Sequence, residues 1–337
     1  MTQPLRWALV GASDIAATKV LPAIRAVGDE AVVVRSGDAG HAAAWADEHG
    51  IKESVTDLRA ALERDDVDAV YVSSVNERHR EHVEAAAAAG KHVLAEKPLA
   101  LSLADAMAMV EACRAAGVVM ATNHHLPASP THRTLKRAVA DGMVGDVRAV
   151  RVHHAVQLPA RLAGWRIDDP VGGGVVLDVT VHDAAAVAAI LGTRALEVTA
   201  VGLNQANRSG GPFDAVMTDA LWEGDILVQT HDAYNNPHLP TSLHILGTDG
   251  ALVAEDCNTG DPVGSVTLWR DHAAEPLDVG PRDDLYEVTV RAFGAAVRGE
   301  GEVVVTGEDG VRSLAYSLAA LMSLRTGARA QVDGRSS

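Results

Sequence analysis

Thiols are scarce in this chain. The two cysteines, Cys113 and Cys257, lie far apart with no second cysteine near either. That excludes a disulfide scaffold and a zinc site of paired thiolates, and it fits a reduced, cytoplasmic setting. Long apolar runs are missing too: none approaches the roughly 18–20 residues of a membrane helix. The amino terminus, MTQPLRWALVGAS, has one early arginine and a very short apolar run, so no signal peptide is read. Positive charge is also short. The net charge is −16 and the pI about 5.3, a balance that repels phosphate backbones and anionic headgroups and excludes nucleic acid and membrane surfaces as partners. Lysine is rarest among the charged residues, five against 24 arginines, so each one that is kept is informative. No internal repeat or low-complexity linker interrupts the chain.

What is present suffices for a large core. With 337 residues, 47% of them hydrophobic, the chain has material for one large domain or two ordinary ones. Through the first third, short apolar runs at 6–11, 31–35, 68–75, 92–95 and 118–122 alternate with helix-length stretches. Val20, Ile24 and Val27 share one helical face; 43–49, 83–89 and 103–116 also read as helix. Such alternation predicts βαβ units and a parallel sheet covered on both faces. After a helix at 128–142 the pattern changes to Val-, Thr- and His-rich runs at 147–157, 195–203, 215–222, 225–233, 241–247 and 265–269, with helices at 178–191, 283–298 and 307–326. The expectation is an α/β chain. A dinucleotide-type domain spans residues 1–124, and an α+β domain with a large, mostly antiparallel sheet spans 125–337, joined at a tight junction.

The first run ends in Gly11-Ala12-Ser13-Asp14-Ile15-Ala16, a G-x-G-x-x-[GA] turn with Ser13 at the second glycine. Gly11 permits the tight turn, Ala16 allows close packing, and the helix that follows offers N–H groups to a pyrophosphate. Ser13 could add a hydroxyl donor; alternatively this is an ordinary strand–turn–helix with Asp14 as N-cap. The second run ends in Arg35-Ser36-Gly37-Asp38. An NAD site places a carboxylate there for the ribose hydroxyl. A guanidinium and a hydroxyl instead suit a 2′-phosphate, which favours NADP(H), while Asp38 keeps NAD(H) open as a ribose ligand.

Lys97 stands at the carboxyl end of the expected fifth parallel strand, between Glu96 and Pro98, on the edge where open α/β sheets bind ligands. Proline fixes the backbone, and its peptide bond is able to be cis. A lysine held there aims a proton donor at a substrate oxygen; alternatively it is a surface lysine paired with Glu96. Asp178 and His182 are four apart, on one face of a helix, behind Gly172-Gly173-Gly174, which let backbone approach a ligand. Histidine is the natural acid–base near neutral pH; alternatively Asp178 caps the helix and His182 is a core residue. His79 and His82 are three apart, but no further ligand completes a metal set, so no metal is expected.

The glycine turn, VNERHREH (75–82), GKHVLAEKPLA (90–100), TNHH (122–125) and GGGVVLDVTVHD (172–183) occur in that order over almost the whole chain. Together they resemble the Gfo/Idh/MocA family of nicotinamide-dependent sugar and polyol oxidoreductases. The resemblance implies an N-terminal Rossmann domain and a C-terminal domain with an open sheet. It makes Lys97, Asp178 and His182 the catalytic set. The stretches VGAS, DAVYVSS, NHH, GWR, DVTVHDA and LYE are similar to a subgroup of NADPH-dependent sugar reductases. By that resemblance Ser74, Val75, Asn76 (ending the fourth strand), Glu77 and His79 line the cofactor groove, with Glu96 and Lys97. Asn123 ends the sixth strand near the nicotinamide, and Trp165, Arg166 and Tyr286 reach the cofactor from the second domain. His41 stands where the subgroup carries a cofactor-binding arginine, as if Arg35 had taken over the charge. The loops at 156–164 and 234–240 diverge from the subgroup, so substrate identity does not carry over.

The expected activity is hydride transfer between NADP(H) and a carbonyl or secondary hydroxyl of a sugar-like small molecule. An NAD-dependent polyol dehydrogenase or NAD-dependent glycosidase of the same fold, and a non-catalytic nucleotide sensor, are the alternatives. The family's open sheet leaves self-association open.

Overall fold

The computed structural model describes residues 3–205 and 211–332. The chain divides into two compact units, residues 1–125 with 284–311, and residues 126–283 with 312–337.

In the first unit β1 (Arg6–Val10), β2 (Glu30–Arg35), β3 (Glu53–Val55), β4 (Ala69–Val72), β5 (His92–Glu96) and β6 (Met120–Asn123) form one sheet in the order β3-β2-β1-β4-β5-β6. All its pairings are parallel. This is the doubly wound Rossmann order, which reverses between β1 and β4. Helices on both faces explain why its strands read as unbroken apolar runs: Trp7–Val10 and Ala69–Val72 are buried throughout. β3 is a three-residue edge strand, ESV, with no buried residue, and no run marks it in the sequence.

Residues 284–311, expected in the second domain, group with this unit. The helix Leu285–Val297 buries Leu285, Val290 and Phe293, and the Phe293 ring lies 5.1 Å from that of Trp7 in β1. Beyond it the Val305 carbonyl accepts the Thr122 N–H at 3.0 Å, and Thr306 bridges Ala121 beside β6. A segment that returns to close a distant sheet edge leaves no local mark in composition.

The second unit holds β7 (Val147–Ala155), β8 (Ala195–Leu203), β9 (Ala215–Trp222), β10 (Ile226–Ala233), β11 (Ser242–Gly247), β12 (Ala251–Glu255), β13 (Ser265–Arg270), β14 (Ala273–Leu277) and β15 (Ala330–Gln331). Their order is β14-β13-β12-β11-β7-β10-β9-β8-β15, and β7–β10 is its parallel pair. Burial alternates along β9 and β10, as it does when one face is packed and the other open. The helices Pro130–Ala140 and Val181–Leu191 pack on each other within this unit. The sequence reading passed over β12, β14 (an edge strand containing Pro276) and the two-residue β15. Among the described residues no helix is long and apolar enough to cross a membrane.

Candidate active site

In the first unit the expected site residues lie along the carboxyl edge of the parallel sheet. Gly11 has φ +128°, and a Cβ there would sit 2.6 Å from the Ser73 carbonyl carbon, so only glycine lets the turns after β1 and β4 meet. That meeting point is where the strand order reverses. The Ser13 hydroxyl donates to Ser73 Oγ at 2.8 Å and accepts the Ala16 N–H at 3.2 Å, while Ser73 donates to the Gly11 carbonyl at 3.2 Å. Ser13 rather than Asp14 therefore caps the helix that starts at 14, and its proton goes to Ser73 instead of being held for a phosphate. Ala12, Asp14 and Ile15 lie in the same turn and first helical residues, whose N–H groups are the donors a pyrophosphate requires.

At the tip of β2, Arg35 Nε donates to the Thr56 carbonyl at 3.0 Å and Ser36 Oγ lies 3.3 Å from His41 Nδ1. Gly37 continues the exposed turn. Asp38, kept open as a ribose ligand, is the N-cap of the helix Ala39–His49: its Oδ1 accepts the His41 N–H at 2.7 Å.

β4 stops at Val72, so Asn76 does not end it. Ser74 and an exposed Val75 follow the strand, Asn76 and Glu77 form a 3₁₀ turn, and His79 opens the helix His79–Ala88. The buried His79 ring spans two loops. Nε2 lies 2.9 Å from the Ser74 carbonyl, and Nδ1 lies 3.2 Å from the carbonyls of both Pro98 and Leu99. Burial lowers its pKa. His82 Nδ1 meets Ser74 Oγ at 2.9 Å, and burial pushes that imidazole down to about 4. Both nitrogens of His79 are thus committed to protein partners, while the buried His82 Nε2 has none among the described residues.

At the end of β5, Glu96 is clamped. Oε1 accepts from Tyr71 Oη at 2.5 Å and from Asn123 Nδ2 at 2.6 Å, and Oε2 accepts the Lys97 N–H at 3.2 Å. The Lys97–Pro98 bond is cis and Pro98 is buried, while Lys97 is half-buried. The carboxylate expected to pair with the ammonium anchors the lysine's backbone. Asn123, expected beside the nicotinamide, holds Glu96, and its buried Oδ1 has no donor among the described residues, which leaves an acceptor for a ligand N–H or O–H. His124 senses the site: burial and then the Lys97 charge push it down to about 3. Tyr286 belongs to this unit and not to the second. It stacks on His125 with centroids 5.4 Å apart, and the Lys19 ammonium lies 5.9 Å from its ring centroid. The glycine turn, the helix N-terminus and the Arg35–Ser36–His41 tip together form a donor set that fits a dinucleotide.

The second unit holds a cluster of its own. Asp178 lies in a π-helical turn, Val176–Thr180, and His182 in the first turn of the helix Val181–Leu191, so the four-residue spacing crosses a π–α junction. Both are over nine-tenths buried. Asp178 Oδ2 accepts from Arg166 Nε at 2.8 Å and from Tyr234 Oη at 2.9 Å. Burial and the Asp178 charge raise Tyr234 well above the phenol range, keeping it a donor. Arg166, expected on the cofactor, binds Asp178 and the Leu162 carbonyl (3.2 Å), with its guanidinium 4.6 Å from the exposed Trp165 ring. Gly173 and Gly174 let protein backbone pack closely here. A Cβ on Gly173 would meet the Asp169 carbonyl at 2.4 Å, and one on Gly174 would meet Pro212 at 2.9 Å.

Two residues escaped the sequence reading. Tyr71 left a signal, a hydroxyl inside the otherwise aliphatic strand AVYV, since a buried phenol needs a partner. Tyr234 left none, because its partner lies 56 positions away.

Residues 5–124 match the family described as "Oxidoreductase family, NAD-binding Rossmann fold", and residues 132–253 match "GFO/IDH/MocA C-terminal domain". The chain is 44% identical over 329 residues to a 1,5-anhydro-D-fructose reductase of Ensifer adhaerens, covering 97% of this chain and 98% of that one. A solved 3-ketoreductase from Actinomadura kijaniata, in complex with NADP and TDP-benzene, is 26% identical with a TM-score of 0.82, covering 95% and 98%. An aldose–aldose oxidoreductase from Caulobacter crescentus shares the fold at 23% identity, with a TM-score of 0.87 over 98% and 100% of the two chains.

Proposed function

The chain belongs to the Gfo/Idh/MocA oxidoreductase family, and from that premise we propose that it is an NADP(H)-dependent, cytoplasmic reductase of a keto-sugar, with 1,5-anhydro-D-fructose the first substrate to try. The observation that carries this reading is the fixing of Lys97. Its N–H is held by a carboxylate that Tyr71 and Asn123 clamp in turn, on the sheet edge where α/β proteins bind ligands.

The nicotinamide, when bound, supplies the hydride for a carbonyl carbon. The turn at Gly11–Ile15 holds the pyrophosphate on helical N–H groups. Arg35, Ser36 and His41 hold the 2′-phosphate, beside the helix that Asp38 caps through Oδ1. Lys97 stabilises the oxygen that gains charge, and His182 delivers the proton. Asp178, its own charge balanced by Arg166, orients His182 or a neighbouring substrate hydroxyl. Nicotinamide fluorescence during titration with NADPH and NADH tests the cofactor: tighter NADPH binding supports the phosphate site, and preference for NADH rejects it. A screen of keto-sugars with the preferred cofactor then tests the reaction, and no turnover on any of them rejects the reductase.

A further inference from the structure

The residue after His182 belongs to a buried polar cluster that the proposed reaction does not use. Asp183 and Asp232 of β10 are both buried, and His154 of β7 brings them together: it is the register partner of Asp232 in the β7–β10 pairing and meets Asp183. Two of the four carboxyl oxygens have partners. Asp183 Oδ1 lies 2.7 Å from His154 Nδ1 of β7. Asp232 Oδ2 accepts the hydroxyls of Thr180 at 2.5 Å and Thr230 at 3.1 Å. The other two, Asp183 Oδ2 and Asp232 Oδ1, have no N–H or O–H donor among the described residues. As a pair of carboxylates they would be two buried, orphaned acceptors on like charges. With one proton added they satisfy each other.

We infer that Asp183 and Asp232 share one proton, and that the shared proton pins the segment carrying Asp178 and His182 onto β10. Thr180 and Asp183 are both held by Asp232, and they bracket His182 within four residues. Asp183 and Asp232 are positioning residues. That what they position is an acid–base site rests on the function proposed above; the shared proton does not.

The neighbours fit this state. From the helix Gly307–Thr326, Tyr316 Oη lies 2.7 Å from Thr218 Oγ1 of β9, and Thr218 lies 3.0 Å from Thr230, so hydroxyls close that side. Burial keeps Tyr316 and Cys257, which follows β12, protonated. His132, from the helix Pro130–Ala140, is pushed down to about 3 by burial and the nearby His154, so it stays neutral; His153 lies beyond His154 on β7 and is also lowered. Burial raises both carboxyls, Asp232 the more because Asp183 adds its charge. The folded chain therefore keeps a proton that the unfolded chain releases near the ordinary carboxylate pKa of about 4. Its stabilising effect is complete below that value and is lost as pH rises toward the pair's elevated pKa. Over that window the folding equilibrium constant falls by up to about tenfold per pH unit.

Infrared spectra of the purified protein, without cofactor, provide the test. At about pH 6, above the ordinary carboxylate range, the wild type shows a protonated-carboxyl band that shifts in D₂O. Asp232→Asn lacks that band, because its amide N–H replaces the shared proton, and its denaturant stability loses the extra pH slope. It also keeps kcat, whereas Asp232→Ala lowers kcat at near-constant KM. A missing wild-type band, or an Asp232→Asn protein with the wild-type slope, overturns the shared proton. Equal kcat in Asp232→Asn and Asp232→Ala overturns the positioning. Should Asp232→Asn fail to fold, titration of the wild-type band decides alone: disappearance by about pH 5 means ordinary carboxylates. A band that is present in a protein binding neither NADPH nor NADH rejects the proposed function and leaves the shared proton standing.

Discussion

Lys97 and Asp178 are held in opposite ways. Lys97 sits on a strand tip between a glutamate and a cis-proline, its immediate neighbours in the chain, and the outer clamp on Glu96 comes from the adjacent strands β4 and β6. Asp178 sits in a π-helical turn, and its partners, Arg166 and Tyr234, come from 12 positions before it and 56 after it. The first arrangement uses neutral donors on a buried sheet edge. The second balances a nearly buried carboxylate with a guanidinium, a phenol and a stacked Trp165. A group anchored by chain neighbours can be recognised from a short motif. One anchored from afar can be recognised only by its own residue type.

The largest effect is expected at Lys97. If its ammonium meets the oxygen that gains charge, Lys97→Met keeps the stem and the clamp on Glu96 but removes the donor. Loss of one such donor costs on the order of 10²–10³ in kcat. Cofactor titration of the variant should show ordinary binding, because the Gly11 turn is intact. Turnover within a few-fold of wild type would put the two clamped groups on unequal footing and leave Lys97 a structural residue.

A smaller effect tests the distant clamp. Tyr234→Phe removes a side-chain donor to Asp178 Oδ2 and leaves Arg166 in place. A hydrogen bond to a charged group contributes about 1.5–3 kcal/mol, so kcat/KM is expected to fall by roughly one to two orders of magnitude with little change in NADPH affinity. A variant that instead loses NADPH binding and keeps kcat would show that Tyr234 serves the nucleotide rather than the carboxylate.

The same contrast explains what the sequence revealed. The parallel sheet was readable because its strands are buried on both faces and stand out as apolar runs. Its six-strand order needed only β3 to complete it, and β3 is too short and too exposed to make a pattern. Gly11 was readable as a forced turn, but the reason is Ser73, which no spacing rule names. The return of residues 284–311 to the first unit was not readable, since Phe293 is an ordinary apolar helix residue until Trp7 is found beside it. In the second unit Asp178 and His182 stood out by residue type, yet Tyr234, Asp183 and Asp232 did not. Their roles come from strands and helices that only the fold brings together, and an isolated aspartate in a β-run looks like any polar outward position.

Asp38 sets the lower limit of the comparison, because it is anchored most locally of all. Its carboxylate accepts the N–H of His41, three residues on, at an exposed helix start. Removing such a cap costs about 1 kcal/mol, so Asp38→Ala should lower the midpoint of thermal unfolding by a few degrees at most. It should leave the NADPH-to-NADH affinity ratio unchanged, since a cap does not read the ribose. If Asp38→Ala weakens NADH binding selectively while stability holds, the carboxylate leaves the helix to meet a ribose hydroxyl. Arg35, Ser36 and His41 would then stop being the phosphate site. The outcome discriminates because the cap, Oδ1 accepting the His41 N–H at 2.7 Å, acts on the stability of the helix, whereas a ribose ligand acts on the choice of cofactor.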